Sequence, residues 1–190
     1  MSGSWYRVGA PTDPVDDRGS SLFFPGNRPS PEMAQRQIQL TVNGEDHTVT
    51  ADPSTPLLYV LRNELDLNGP KYGCGLQQCG SCRVLIDGAA RATCQLPVSA
   101  VEGQPITTLA GLSGEDGGLH PVQAAIVDEQ AAQCGYCVNG VVITAVALLE
   151  ETPDPDRATI TDGMNRVLCR CGTHARFVRA IQRAADNMGA

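Results

Sequence analysis

Ile38, Leu40 and Val42 alternate with polar neighbours, the period-two pattern of a strand with one buried face. Asn43-Gly44 follows, a pair suited to a two-residue hairpin turn. His47-Thr48-Val49 is then the returning strand. Ser54 or Thr55 is placed to cap a helix with Pro56 in its first turn. Leu57, Leu58, Leu61 and Leu65 make the apolar stripe of that helix. Further on, Val84-Leu85-Ile86 and Arg91-Ala92-Thr93 flank Asp87-Gly88 as a second hairpin, and Ile106-Thr107-Thr108-Leu109 closes a small mixed sheet. Strand pairs packed on one helix predict an α+β domain over residues 37–110.

The period then changes. Gly111, Gly114, Gly117 and Gly118 mark residues 111–121 as a linker. Helices are predicted from Pro121 to about Ala132, Gly140 to Glu151, Thr161 to Leu168 and Arg176 to Met188, within a helical domain over 122–190. Ile160, Met164, Val167 and Leu168 share a face of the third, and Phe177, Ile181, Ala184 and Met188 a face of the fourth. Residues 1–36 hold five prolines and no period, and read as an extended or disordered extension in which Met33 is an alternative start.

Composition narrows the function classes. Net charge is −7 with no Lys/Arg-rich stripe, so nucleic acid is not an expected partner. The most apolar run, Val141–Leu149, is about half of the roughly 20 residues that a membrane helix needs, and is expected inside protein. No basic start followed by an apolar stretch is present at the N-terminus. The expected location is cytoplasmic, or periplasmic if a partner carries the chain out. Without an oxidising compartment, four disulfides are a poor use of the eight cysteines.

Those cysteines fall into two sets of four. Cys74, Cys79, Cys82 and Cys94 read C-x4-C-x2-C…C, the plant-type ferredoxin spacing for one [2Fe–2S] cluster. Zinc favours two C-x2-C pairs, so it fits this glycine-rich loop poorly. Cys134, Cys137, Cys169 and Cys171 sit at two helix junctions as C-x2-C and C-x-C, which suits zinc as well as a second [2Fe–2S] cluster. A Rieske centre needs two histidine ligands, and His47, His120 and His174 do not have that spacing. No C-x-x-C is followed by His, so covalent c-type haem attachment is not expected.

All eight cysteines in order, with the segments Lys71–Cys82, Gln133–Cys137 and Cys169–Gly172, resemble the separately encoded iron–sulfur subunit of the xanthine oxidase family of molybdenum hydroxylases. The resemblance covers about residues 37–188. It implies an N-terminal β-grasp plant-type ferredoxin domain followed by a four-helix [2Fe–2S]-binding domain. It implies two [2Fe–2S] clusters here and a molybdenum–pterin cofactor in a large partner subunit. Gln133 and Cys171 match positions that approach the pterin. Electrons would leave the hydroxylation of an N-heteroaromatic or aldehyde substrate through both clusters, to FAD in a flavoprotein subunit or haem in a c-type cytochrome. No residue reads as a catalytic acid, base or nucleophile. The alternatives are a free-standing two-cluster ferredoxin and a zinc-stabilised interaction module.

Three positions depart from the family pattern: Arg83 where Thr is usual, Val138-Asn139 where Gln-Ser or Thr-Pro is frequent, and His174 where Tyr is frequent. Arg83 is read as a solvated side chain, with a raised potential for the first cluster as the alternative.

Overall fold

Both predicted hairpins form in the computed structural model, which describes residues 35–113 and 117–189. The extension assigned to 1–36, Met33 included, falls outside the described residues except at Gln35 and Arg36; part of the linker, Gly114 to Asp116, also falls outside them. Strands β1 (Arg36–Val42) and β2 (Glu45–Ala51) pair antiparallel with Val42 opposite Glu45, leaving Asn43 and Gly44 as the turn. Both turn residues have positive φ, +54° and +82°, as this turn type demands. Strands β3 (Arg83–Ile86) and β4 (Ala89–Ala92) repeat the device around Asp87-Gly88. Strand β5 (Pro105–Thr107) lies between the hairpins, parallel to β1 and antiparallel to β3, giving the order β2-β1-β5-β3-β4.

The helix under this sheet starts differently from the sequence expectation. Ser54 turns both its N–H and its hydroxyl back to Asp52 Oδ1, at 2.7 and 2.5 Å, so it caps nothing. Helix α1 begins at Leu57 with Pro56 in the capping position, runs to Tyr59, and continues as a π-helical turn over Val60–Glu64. That turn helps to bury Leu57, Leu58, Val60 and Leu61 almost completely.

The helical part consists of α2 (Pro121–Asp128), α3 (Val138–Glu151), α4 (Arg157–Met164) and α5 (His174–Met188). Helix α3 is buried on every side from Asn139 to Val146, because it packs on β3 and β4 as well as on the other three helices. Its apolar run is thus a helix sandwiched within protein. Among the described residues, no helix is long and apolar enough to cross a membrane.

The third helix departs from the predicted Thr161–Leu168. Asp156 caps α4 by accepting from the Thr159 N–H at 2.7 Å, which starts the helix early. Val167 is buried beyond its end, but Leu168 is 59% exposed. The Leu168 backbone N–H is committed instead to the Cys79 carbonyl at 3.0 Å. Met188, expected on the core face of α5, is 44% exposed.

Thr108 and Leu109, expected to continue the last strand, leave the sheet after Thr107, and with Gly111 and Leu112 at the start of the expected linker they are tied down. Asn43 Oδ1 accepts from the Thr108 N–H at 2.8 Å, and the next residues, Leu109–Leu112, form a 3-10 turn. Helix α2 is then capped by His120, whose Nδ1 accepts from the Val122 N–H at 3.2 Å while Gln123 Oε1 accepts from the His120 N–H at 3.0 Å. The cap requires neutral imidazole. Burial lowers the His120 pKa from its usual 6.5, and Glu150 only partly opposes this. A lowered folded pKa means that the unfolded chain protonates first as pH falls. The contribution of this cap is therefore complete above pH 6.5 and lost as the pH drops from there towards the folded value. Thermal melts between pH 8 and 5 are expected to show that loss in the native chain and a smaller one in His120→Asn, which caps without titrating. Parallel pH profiles would refute the assignment.

Candidate metal centres

The first cysteine set lies on one loop and one strand end. Cys74 and Cys79 are on the loop between α1 and β3, Cys82 directly precedes β3, and Cys94 follows β4. Cys82 and Cys94 are buried against Leu58. Buried Thr93 donates its hydroxyl to the Cys82 carbonyl at 2.7 Å, fixing the strand end to the loop end. The N–H groups of Leu76, Gln78 and Cys79 all point at Cys74 Sγ, each at 3.3 Å, and the Cys74 N–H points at Cys79 Sγ at 3.3 Å. Such a nest of amides stabilises negative charge on sulfur. Burial pushes the Cys74 thiol up, but these amides outweigh it and bring the pKa down to about 7. Cys94 goes the other way, to about 11, through burial and its closeness to Cys82. Gly73 is required by contact: a Cβ there would lie 2.6 Å from Cys79 Sγ.

The second set joins two helix junctions. Cys134 and Cys137 lie between α2 and α3, and Cys169 and Cys171 between α4 and α5. Cys134 meets Cys171, and Cys137 meets Cys169. Burial raises the Cys169 thiol, but the hydroxyl and N–H of Thr173 prevail and bring it to about 6; the hydroxyl is 3.3 Å from the sulfur. Burial and Cys169 push Cys137 up to about 12. Three of these thiols, with Ser81, Tyr136 and Leu168 among others, line a recess of about 490 Å³. Gln133 and Cys134 are exposed, and Cys171 is half-buried.

In both sets the thiols meet in pairs, Cys74 with Cys79 and Cys82 with Cys94 in the first. Two pairs are the arrangement that a binuclear cluster takes, two thiolates to each iron. The donor chemistry and the amide nest fit a [2Fe–2S] group. Binding it would remove the thiol protons that crowding and burial otherwise retain.

The two sets are joined by contacts that the sequence did not signal. Besides the hydrogen bond from Leu168 to Cys79, Tyr136, between Cys134 and Cys137, donates its hydroxyl to the Tyr72 carbonyl. Gly140 brings α3 so close to the Gly80 carbonyl that a Cβ would collide with the oxygen. Asn139, 2% exposed, donates from Nδ2 to the Ser81 carbonyl at 3.0 Å and the Arg83 carbonyl at 2.9 Å. Its Oδ1 has no hydrogen-bond partner among the described residues. The one hint in the sequence was a polar residue opening an apolar helix. Arg83 is not solvated as read. It is half-buried and donates from Nη1 to Thr144 Oγ1 at 2.6 Å. Burial and the nearby Arg166 lower its pKa, while Cys82 and Cys79 oppose this, so two cations border the first set.

Comparisons with known proteins match this layout. Residues 40–107 match the family model of the 2Fe-2S iron-sulfur cluster binding domain, and 108–182 that of the [2Fe-2S] binding domain. The chain is 54% identical over 152 residues to one of the subunits of nicotinate dehydrogenase from Pseudomonas putida, covering 80% of this chain and 96% of that one. It is 46% identical to the alpha chain of isoquinoline 1-oxidoreductase from Brevundimonas diminuta, over 78% of this chain and 97% of that one. The crystal structure of quinoline 2-oxidoreductase from Pseudomonas putida 86 superposes with a TM-score of 0.75 at 35% identity, over 80% of this chain and 94% of that one. The aldehyde oxidoreductase of Desulfovibrio desulfuricans superposes with a TM-score of 0.76 at 37% identity, but there the match takes up only 17% of a longer chain.

Proposed function

Because the chain belongs to the iron–sulfur subunits of the xanthine oxidase family of molybdenum hydroxylases, we propose that it carries electrons from a separate molybdenum–pterin large subunit to a flavoprotein or c-type cytochrome. The sheet part is a β-grasp ferredoxin domain over 37–110, and the helices form a four-helix cluster domain over 122–190. Cys74, Cys79, Cys82 and Cys94 hold one [2Fe–2S] cluster, and Cys134, Cys137, Cys169 and Cys171 the other. Each cluster, when bound, takes up and releases one electron. Gln133 and Cys171 face the pterin, in keeping with the exposure of Gln133 and the partial exposure of Cys171. Electrons enter on the side of the second set and leave on the side of the first. The reaction of the complex is hydroxylation of an N-heteroaromatic ring or an aldehyde. The relative in which this unit is part of a much longer chain supports work beside a large partner.

One observation carries the reading: eight thiols gathered into two sets of paired sulfurs, with the backbone of one ligand loop bonded to that of the other. The chain's own contribution is positional. Amides orient Cys74 and Cys79, burial excludes water from Cys82, Cys94 and Cys137, and Arg83 and Arg166 favour negative charge near the first set.

Native purification should yield a brown protein with about four irons per chain and a co-purifying molybdenum-binding chain. Cys82→Ser and Cys137→Ser should each reduce the iron to about two and remove one of two electron paramagnetic resonance signals. A colourless zinc protein would overturn the cluster assignment. A lone monomer with full redox function would replace the subunit reading by the free ferredoxin.

A further inference from the structure

We propose that Asn139 is a positioning residue for the cluster held by Cys74, Cys79, Cys82 and Cys94, although it belongs to the opposite half of the molecule. The inference rests on the ligand assignment above. Asn139 is two residues from Cys137, in the first turn of α3. Its Nδ2 donates to the carbonyls of Ser81 and Arg83, the two residues that flank Cys82. The orientation of the amide is fixed, since both partners are carbonyls and only accept. One side chain therefore uses both of its donors to hold the peptides on either side of a ligand, and does so next to a ligand of the other set. Asn139 Oδ1 is left without a hydrogen-bond partner among the described residues.

The physical effect is twofold. The two bonds fix the backbone from which the Cys82 sulfur projects, and with it the pairing with Cys94. They also place the positive end of an amide dipole on the Cys82 segment. Reduction adds negative charge to a cluster, and a nearby donor dipole favours that charge. Removing the donors should make this cluster harder to reduce. Cys137 also precedes Asn139, but both amide donors are taken by the Ser81 and Arg83 carbonyls, the two peptides that flank Cys82.

The test is a redox titration followed by electron paramagnetic resonance on the iron-loaded protein in its native complex. The native chain is compared with Asn139→Ala, which removes both donors, and Asn139→Ser, which keeps one. With four irons retained, Asn139→Ala is expected to lower the equilibrium constant for reducing the Cys82-set cluster at least threefold, roughly 30 mV for one electron. Asn139→Ser should fall between, and the other signal should keep its midpoint. If Asn139→Ala fails to load, Asn139→Ser decides, and selective loss of the two irons of the Cys82 set also supports the proposal. Unchanged midpoints in an iron-replete variant would overturn it, as would equal shifts or joint loss of both clusters. A native protein lacking two [2Fe–2S] signals would instead refute the ligand assignment.

Discussion

Gly140→Ala is expected to destabilise the protein by about 2–3 kcal/mol, the upper range for an overpacked contact. The sign makes the test informative. In an exposed helix interior the same change gains about 1 kcal/mol, because glycine loses more backbone entropy on folding than alanine does. Here the added Cβ would collide with the Gly80 carbonyl oxygen and lie 2.8 Å from its carbon. Gly80 also packs close to Arg166 and Val167, where an added Cβ would lie 2.9 Å from the Arg166 carbonyl oxygen, so the loop has little room to give. Relief has to come from lifting α3, which strains both Asn139 hydrogen bonds. In a chain of this size the change corresponds to a drop on the order of 5–10 °C in melting temperature. Melts of the iron-loaded variant beside the native protein measure it. A variant as stable as the native chain would show that the tight contact between the halves is not real.

Phe177→Ala is expected to cost about 3–5 kcal/mol, the usual range for emptying a large aromatic site in a core. Phe177 is 2% exposed within the cluster that includes Ile160, Met164, Val167 and Ile181, and its ring meets His174 edge-on. The ring's partner His174 directly follows Thr173, whose hydroxyl lies beside Cys169. The loss should therefore appear twice. The urea midpoint falls without a change in slope, and iron is released to a chelator faster from the second set than from the first. A midpoint shift equal to that of Met188→Ala, which trims an exposed side chain, would contradict this account.

Much of the sheet was legible because its turns depend on local chemistry. Asn43-Gly44 and Asp87-Gly88 are so specific that alternating neighbours had only one way to pair. The cysteine spacings were legible for a similar reason, since a short loop determines which sulfurs can meet. Other features were decided by competition at a distance. Leu168 looked like part of a helix face, but its N–H serves the other half of the molecule. Ser54 looked like a cap, but its side chain is turned back to Asp52 and the helix starts only at Leu57, after Pro56. The join between the halves uses the carbonyls of Tyr72, Cys79, Gly80, Ser81 and Arg83. Carbonyls leave no mark on residue type, so that join could not be read from the side chains. Arg83 was misjudged for a different reason: its partner is a side chain, but that side chain, Thr144, is 61 residues away.

The hairpin of β3 and β4 has a consequence for how this chain can vary. Cys82 enters it and Cys94 leaves it, with Arg83 opposite Ala92 and Val84 opposite Arg91. The ladder thus acts as a caliper whose jaws are two sulfurs. A slip of one residue moves one jaw about 3.3 Å along its strand and turns the following side chains to the opposite face. Single insertions or deletions inside either strand therefore break the site even where the sheet absorbs them. The turn at the closed end is where a change in length is expected to be tolerated, because the jaws do not register it.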